Sequence, residues 1–391
     1  MLQEKLAGLK PTTEDIAPIT VEERRGRVEK ARALMVENDI AAVYLEAGPS
    51  LFYFTGVEWE RSERVMAAIM PAQGEIAYVC PAFEEARLRE LIALGGAVRA
   101  WEEDESPYDV AVGIFRDRGI TGGKIGIEES VRFFLFDGIR KQAPHLEFVS
   151  ADPVTVPCRA IKSRAEIALM QRAMDITVEA YKVCLSLLGE GMSPDEFLDN
   201  SVAAHKALGV EGKISCQFGE STAYPHGSSE PTHLKKGDVV LMDGSCTVEG
   251  YHSDISRTIV FGEPTQRQRY IWNLEKEAQA AAFAAAQVGV PCEAVDAAAR
   301  QVITEAGFGP DYRVPGLPHR TGHGIGLDIH EQYHLVRGNK VPIAPGMCFS
   351  DEPMIAIYGE FGVRLEDCVY ITEDGPRFFT QPSPSIEQPF A

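Results

Sequence analysis

A carboxylate lies where the sequence otherwise predicts a buried strand. Glu366, in the segment GVRLEDCVYI, is flanked by Leu365 and Val369. Burying a charge is costly unless the charge is paired or binds a cation. Arg364 precedes Glu366 by two residues and would share its face of a strand, so an ion pair and a bound cation are both open. Glu352, at the end of the apolar segment FSDEPM, raises the same question.

Two aspartates flank a predicted hairpin in the segment LMDGSCTVEGYHSDISRT. Asp243 follows the apolar strand 239–242, and Asp254 lies eleven residues later, beyond a turn at 249–250. Across a hairpin both carboxylates can converge on one point. Solvated strand ends would give the same pattern, so the pair alone leaves both a metal site and an ordinary hairpin open.

Three of the nine histidines fall within twelve residues, in HRTGHGIGLDIH. His319, His323 and His330 are interleaved with glycines, which let a backbone approach a site closely. Neutral imidazole is a ligand for Zn, Mn, Co or Fe. The segment is therefore a candidate metal-binding loop, and a Gly-rich turn with incidental histidines is the alternative.

The length of 391 residues predicts two or three domains. Up to about residue 155, helical patterns alternate with strand patterns, which predicts an α/β domain with a mixed or parallel sheet. The Pro-containing stretch 152–161 is the candidate linker, and we place the domains at residues 1–157 and 158–391. The strand candidates of the first domain are 40–45, 65–70, 75–80, 97–101, 124–127 and 146–149.

The charge balance narrows the range of partners. With 38 basic against 58 acidic residues, the net charge of −20 disfavours nucleic acids and anionic membranes. The Ala-rich uncharged run is too short to span a bilayer, and the charged N-terminus lacks a signal core, so we expect a cytoplasmic protein. Eight scattered cysteines without a CxxC pair indicate reduced buried thiols.

In four blocks taken in order, the sequence resembles the M24 metallopeptidases, the pita-bread enzymes that include Xaa-Pro aminopeptidase, Xaa-Pro dipeptidase (prolidase) and methionine aminopeptidase. The match covers roughly residues 160–385, and its blocks are DGSCTVEGYHSDISR, HRTGHGIGLDIHE, EP and GVRLED. The residues that resemble the five metal ligands of the family are Asp243, Asp254, His323, Glu352 and Glu366.

The resemblance also implies a fold. The first domain would be an α/β domain of the creatinase/prolidase N-terminal type, in which SLFYFTGVEW resembles the family's N-x-x-Y-L-T-G strand. An α+β pita-bread catalytic domain would follow. Enzymes of this fold are commonly homodimers, so a homodimer is expected.

The resemblance further implies a cofactor of two divalent metal ions. Oxygen-rich ligands favour Mn²⁺, with Co²⁺ or Zn²⁺ as alternatives. Asp243 would bind one ion and His323 the other, with Asp254 and Glu366 bridging them. Glu352 would bind metal and act as general base towards a shared water, whose pKa the two ions lower.

Four further residues are expected near the reaction. His226, seventeen residues before Asp243, resembles the family's outer histidine that stabilises the tetrahedral intermediate. His319 and His330 resemble histidines that line the substrate pocket, and His330 is expected to contact the reacting carbonyl. Arg364 matches the arginine of the fourth block and is assigned to substrate binding.

The segment after Glu352 departs from the family pattern E-P-G-x-Y. Met354 replaces the glycine and Ala356 replaces the tyrosine, whose hydroxyl lies near the site in the family. Tyr358, two residues further on, is a candidate partial substitute.

The expected function is that of an Xaa-Pro dipeptidase acting on small proline-containing peptides, with an Xaa-Pro aminopeptidase acting on longer peptides as the alternative. The choice depends on a basic residue that reads the proline carboxylate, for which Arg337 is a candidate. A family lyase of a small sulfonium osmolyte would carry an aspartate where Ser245 stands. Creatinase-like hydrolases and non-catalytic relatives lose metal ligands that this chain retains.

Overall fold

The protein, analysed as a computed structural model, forms two compact units. One is Ile19–Arg159, and the other combines Met1–Pro18 with Ala160–Ala391. The residues that the structure describes are 2–13, 15–230 and 232–390.

The N-terminal segment, with helix α1 (Leu2–Leu6), groups with the second unit, whereas we expected it in a domain of residues 1–157. Its backbone explains the difference. The amide of Thr12 donates to the carbonyl of Leu208 (3.2 Å), and Arg172 Nη1 donates to the carbonyl of Thr12 (2.8 Å). These bonds are invisible to a sequence pattern because they join segments about 200 residues apart.

The unit Ile19–Arg159 is an α/β domain built on one mixed sheet, which confirms the predicted class. The sheet has the order β4-β3-β2-β1-β5-β6, in which β1 is antiparallel to β2 and parallel to β5. The elements are α2 (Val21–Glu37), β1 (Ile40–Glu46), α3 (Pro49–Thr55), β2 (Ala67–Pro71), β3 (Ala77–Pro81), α4 (Glu85–Leu91), β4 (Ala97–Trp101), α5 (Pro107–Asp117), β5 (Lys124–Ile127), α6 (Phe133–Gln142), β6 (Glu147–Ser150) and α7 (Asp152–Ala160).

Two segments differ from their predictions. The SLFYFTG segment, expected as a strand, is helix α3, because Pro49 suits the first turn of a helix and Gly56 ends it in the left-handed region at φ 81°. The predicted linker 152–161 is largely helix α7. Pro153 lies in its first turn, where a missing amide N–H costs nothing.

The second unit carries three sheets. Their orders are β10-β8-β7 with β9 beside β8, β12-β11-β13-β16-β17, and β14-β15. The elements are α8 (Arg164–Leu185), α9 (Pro194–Ala207), β7 (Gly212–Phe218), β8 (Val239–Val248), β9 (Tyr251–His252), β10 (Ile255–Val260), α10 (Gln266–Ala285), α11 (Cys292–Glu305), β11 (Gly322–Gly324), β12 (Glu331–Leu335), β13 (Cys348–Asp351), β14 (Met354–Ile357), β15 (Phe361–Arg364), β16 (Asp367–Thr372) and β17 (Gly375–Phe378).

Helices α8, α9 and α10 begin where the sequence supplies a capping box, in which two side chains satisfy the free amides of the first turn. The pairs are Ser163–Glu166, Ser193–Glu196 and Thr265–Gln268. Within the described ranges, no helix combines the length and apolarity needed to cross a membrane.

A backbone bridge joins two of these sheets. The amide of Ser256 on β10 donates to the carbonyl of Glu366 (3.3 Å), and the amide of Glu366 donates back to Ser256 (3.1 Å). Ser256 is also the register partner of Asp243 on β8. The bridge therefore brings the acidic hairpin next to the strand segment that carries Glu366.

Two buried carboxyl groups lie behind this junction. Glu275 on α10 and Asp351 on β13 are 0% and 1% exposed, and none of their carboxylate oxygens has a hydrogen-bond partner among the described residues. Burial raises the pKa of Glu275 well above its usual range, and the nearby carboxylates of Asp351 and Asp367 raise it further. The folded state therefore favours neutral Glu275.

We expect Glu275→Gln to stabilise the metal-free protein at alkaline pH. The pKa of Glu275 is higher in the folded state than in the unfolded chain, so the free energy of unfolding falls as pH rises through these two pKa values. A neutral glutamine at this position does not titrate and removes that loss. Melting temperatures from circular dichroism should show a gain for the variant at pH 8 that shrinks towards pH 5.

The matched control is Glu277→Gln, which changes an exposed glutamate on the same helix and should leave the melting temperature almost unchanged at both pH values. A Glu275→Gln variant that melts lower than the parent at pH 8 would mean that the buried carboxylate is charged and paired.

Candidate metal centre

The five candidate ligands lie on strands or directly beside them. Asp243 lies within β8, where the sequence predicted a strand end, and Asp254 follows β9 after the hairpin turn. His323 is the central residue of the short strand β11. Glu352 follows β13 and Glu366 lies between β15 and β16. The paired strands therefore fix the backbone at or next to each candidate ligand.

Asp254, His323 and Glu366 form the centre of the group. Each of them offers one ligand atom, and these atoms all lie within 4.8 Å of one another. All three residues are buried. One imidazole and two carboxylates at this spacing can hold a divalent cation.

The orientation of His323 suits a bound cation. Its Nδ1 lies 2.9 Å from the carbonyl oxygen of Gly324, which can only accept, so Nδ1 carries the proton. Its Nε2 faces Glu352 Oε1 at 3.1 Å and Asp254 Oδ2 at 3.6 Å. Lone pairs repel at these distances unless a proton or a metal ion lies between them. This is the usual arrangement of a metal-binding histidine, whose second nitrogen donates to a carbonyl.

Glu366 has one oxygen satisfied and one without a partner. Ser256 Oγ donates to its Oε2 (2.6 Å), whereas Oε1 is buried without a hydrogen bond within the described ranges. Burial, followed by the charges of neighbouring carboxylates, raises the pKa of both Glu366 and Asp254 well above the usual range. A divalent cation would satisfy the orphaned oxygen and offset this repulsion.

Arg364 pairs with Asp243 rather than with Glu366. Its Nη2 donates to Asp243 Oδ2 (2.6 Å) and its Nε donates to Ser256 Oγ (3.0 Å). Burial lowers the pKa of this guanidinium, but the surrounding carboxylates, Asp243 first, raise it by more. Arg364 therefore stays charged and fixes the orientation of one candidate ligand.

Glu352 is the acid whose charged form the site favours. Burial raises its pKa, but the hydrogen bond with His323 and the charge of Arg364 outweigh burial and lower the pKa to about 2. Ser350 Oγ also donates to Glu352 Oε1 (3.1 Å). Glu352 is therefore available as a ligand and as a proton acceptor.

Two histidines lie beside this centre. The ring of His330 meets that of His323 edge-on, with 4.2 Å between centroids, and His330 is exposed. His319 is half-buried, and its Nδ1 lies 2.7 Å from the carbonyl of Arg320. Its Nε2 is buried without a hydrogen-bond partner within the described ranges. Burial lowers the pKa of both imidazoles, which favours their neutral forms.

His226 is exposed, as His330 is. It lines an open cleft of about 600 Å³ whose wall also includes Asp243 and His233. The cleft connects His226 to the candidate ligands on the solvent side, where a substrate would enter.

Ala356, which replaces the tyrosine of the family pattern, lies in the protein core. It is fully buried on β14, opposite Gly362, and its backbone exchanges two hydrogen bonds with Gly316. Tyr358 lies in the hairpin turn, is 55% exposed and stacks on Tyr224 with 5.1 Å between ring centroids. Its ring therefore packs against a surface tyrosine.

Arg337, the candidate reader of a substrate carboxylate, is paired with Asp311 (2.6 Å).

Sequence reasoning missed the hydroxyls that orient the carboxylates. Ser256 donates to Glu366, and Ser350 donates to Glu352. Serine two residues after Asp254 and two before Glu352 was the available signal, but serine is too common for its role to be read without coordinates. His334, which no sequence motif marks, pairs in register with His323 on the neighbouring strand.

Comparison with known proteins identifies the family. The model of metallopeptidase family M24 matches residues 168–373, and that of the creatinase/prolidase N-terminal domain matches residues 27–161. An Xaa-Pro dipeptidase of Lactobacillus helveticus is 33% identical, over 88% of this chain and 93% of the relative.

Two solved structures have the same fold. Dipeptidase PepE of Mycobacterium ulcerans superposes with a TM-score of 0.87 at 30% identity, over 96% of this chain and 100% of that one. An X-Pro aminopeptidase of Thermotoga maritima gives 0.80 at 26% identity, over 92% and 98% of the two chains. The chain therefore belongs to metallopeptidase family M24 and carries a creatinase/prolidase-type N-terminal domain.

Proposed function

We propose that the protein is an Xaa-Pro dipeptidase that hydrolyses the imide bond before proline with two divalent metal ions, Mn²⁺ above all. The observation that carries the proposal is the buried group of Asp254, His323 and Glu366, in which His323 Nε2 faces carboxylate oxygens and one oxygen of Glu366 lacks a hydrogen bond among the described residues. The names of the similar proteins supply the substrate class. Two of them are dipeptidases, one of these Xaa-Pro-specific, and the third is an X-Pro aminopeptidase.

Five residues would hold the metal ions. They are Asp243, Asp254, His323, Glu352 and Glu366. Four carboxylates and a neutral imidazole are a donor set suited to Mn²⁺, with Co²⁺ or Zn²⁺ as alternatives. When bound, such a pair of ions lowers the pKa of water towards neutrality and polarises a carbonyl.

Glu352 would act as the general base. Its carboxylate form is favoured, it borders the candidate ligands, and its side chain retains 13% exposure, through which a water proton can reach it. A general base must lie within hydrogen-bond reach of the proton that it accepts. Glu352 would later return that proton to the proline nitrogen, which leaves as an amine.

Three histidines would bind the substrate. His330 stands exposed against His323 and His226 lines the cleft, and each could donate a hydrogen bond to the scissile carbonyl or to the oxyanion that forms from it. The proton of neutral His319 lies on Nδ1, which faces the carbonyl of Arg320, so its Nε2, which has no partner among the described residues, could accept a hydrogen bond from the substrate. Arg364 would support substrate binding by fixing Asp243, which borders the same cleft.

The imide bond explains why a dedicated enzyme is needed. Proline has no amide N–H and a fixed φ, so peptidases that bind an extended backbone through that N–H do not accept it. Ala356, in place of the tyrosine of the family pattern, removes one hydroxyl from this region. His226 and His330 would supply the remaining donors.

We further propose a cytoplasmic homodimer. All eight cysteines are buried free thiols, as expected in a reducing compartment. The net charge of −20 disfavours nucleic acid and anionic membranes as partners. The homodimer follows from the family resemblance.

We expect metal-stripped protein supplied with Mn²⁺ to release proline from Ala-Pro or Leu-Pro. The measurement is proline release, compared with cleavage of a matched Xaa-Pro-Xaa tripeptide and of Ala-Ala as a non-proline control. Cleavage of the tripeptide alone would replace the dipeptidase by an aminopeptidase. Cleavage of neither, with two ions bound, would overturn the proposed substrate.

We expect Asp254→Asn to abolish two-ion binding and to lower kcat/KM by roughly 10³-fold or more, the scale observed when a member of a reacting centre is removed. The metal-free variant should melt no lower than the parent because burial already favours neutral Asp254. Calorimetric Mn²⁺ titration and peptide hydrolysis measure the two effects.

The matched control is Asp374→Asn, which changes an exposed turn residue and should leave both quantities unchanged. An Asp254→Asn variant that still binds two ions with full activity would remove Asp254 from the ligand set.

A further inference from the structure

A buried ion pair on helix α11 lies outside the candidate metal centre. Arg300 Nε donates to Asp296 Oδ2 (2.8 Å), one helical turn away, and the two side chains are 8% and 1% exposed. Burying such a pair is costly unless its remaining donors and acceptors are also used. Their other partners therefore indicate what the pair is for.

Arg300 uses its remaining donors on one loop. The loop 311–321, here called the His319 loop, connects α11 to β11 and contains no helix or named strand. Arg300 Nη1 donates to the carbonyls of Asp311 (2.7 Å) and Leu317 (3.0 Å), and Nη2 donates to the carbonyl of His319. A single planar guanidinium thus fixes three carbonyls of the segment that ends beside the site.

Asp296 holds the end of the same loop. Its Oδ1 accepts from the amide (3.1 Å) and the hydroxyl (2.8 Å) of Thr321. The carbonyl of Thr321 in turn accepts from the amide of Glu352 (2.9 Å). A chain of three hydrogen-bonded residues therefore leads from the helix to the proposed general base, and His323 follows Thr321 by two residues.

We propose that Asp296 and Arg300 are positioning residues that hold His319 and Glu352 in the geometry the reaction requires. Neither side chain lies among the candidate ligands, and both act through the backbone of the His319 loop. The proposal rests on the proposed peptidase function for its kinetic consequence but not for its structural one.

Kinetics and thermal stability separate positioning from simple stabilisation. Arg300→Lys keeps the positive charge. A lysine ammonium is compact, however, and cannot reach all the oxygen atoms that the planar guanidinium of arginine contacts. We expect this variant to keep a melting temperature close to that of the parent, while kcat falls about 10- to 100-fold, the usual effect of removing a residue that orients a ligand. KM should change much less than kcat.

Thr321→Val is a milder second variant that still folds if the lysine variant does not, because it removes only the hydroxyl donor to Asp296. Arg313→Lys is the matched control. It makes the same exchange at an exposed arginine of the same loop, and it should leave kcat unchanged.

Hydrogen–deuterium exchange gives a readout that needs no activity. We expect faster exchange in Arg300→Lys and Thr321→Val, confined to residues 311–324 and to the amide of Glu352. The positioning role would be overturned if the two variants showed unchanged exchange in these segments. It would also be overturned if the wild type cleaves the peptide and the variants keep the same kcat. A wild type that cleaves no proline peptide would overturn the proposed function, and the exchange data would still decide the positioning claim.

Discussion

The architecture of the catalytic unit depends on the compensation of buried negative charge around His323. Four carboxylates, those of Asp243, Asp254, Glu352 and Glu366, surround the site, and the guanidinium of Arg364 offsets part of their charge. Repulsion of this kind would open an ordinary core. The buried group of Asp254, His323 and Glu366, in a family of metallopeptidases, is suited to divalent cations.

The rest of the unit holds these groups at short range. The Ser256–Glu366 bridge ties the hairpin that carries the two aspartates to the second sheet. The same serine hydroxyl contacts both Glu366 and Arg364, so it links the cationic and anionic parts of the site. Buried Arg257 pairs with Asp367 on the adjacent strand (2.6 Å) and binds the carbonyl of Pro389, which ties the C-terminal segment to the same framework.

The sequence predicted the α/β class of the first unit because alternating strand and helix patterns are local signals. The α+β class of the second unit and the set of five candidate ligands came from the resemblance to a family, since each candidate taken alone left other interpretations open. The sequence mispredicted the SLFYFTG segment, where Pro49 and Gly56 favour a helix over a strand. It did not reveal the placement of residues 1–18 or the clamp of Arg300 on the His319 loop. Such contacts join distant segments through backbone carbonyls, which every residue possesses, so no side-chain pattern marks them.

The central claim is that Asp243, Asp254, His323, Glu352 and Glu366 hold two divalent ions. The most direct test is a crystal structure of the Mn²⁺-loaded protein with anomalous data collected at the manganese edge. The account predicts two anomalous peaks bounded by these five side chains, with the contact between His323 and Glu352 opened by an ion. A saturated crystal with no peak there, and His323 still in direct contact with Glu352, would contradict it.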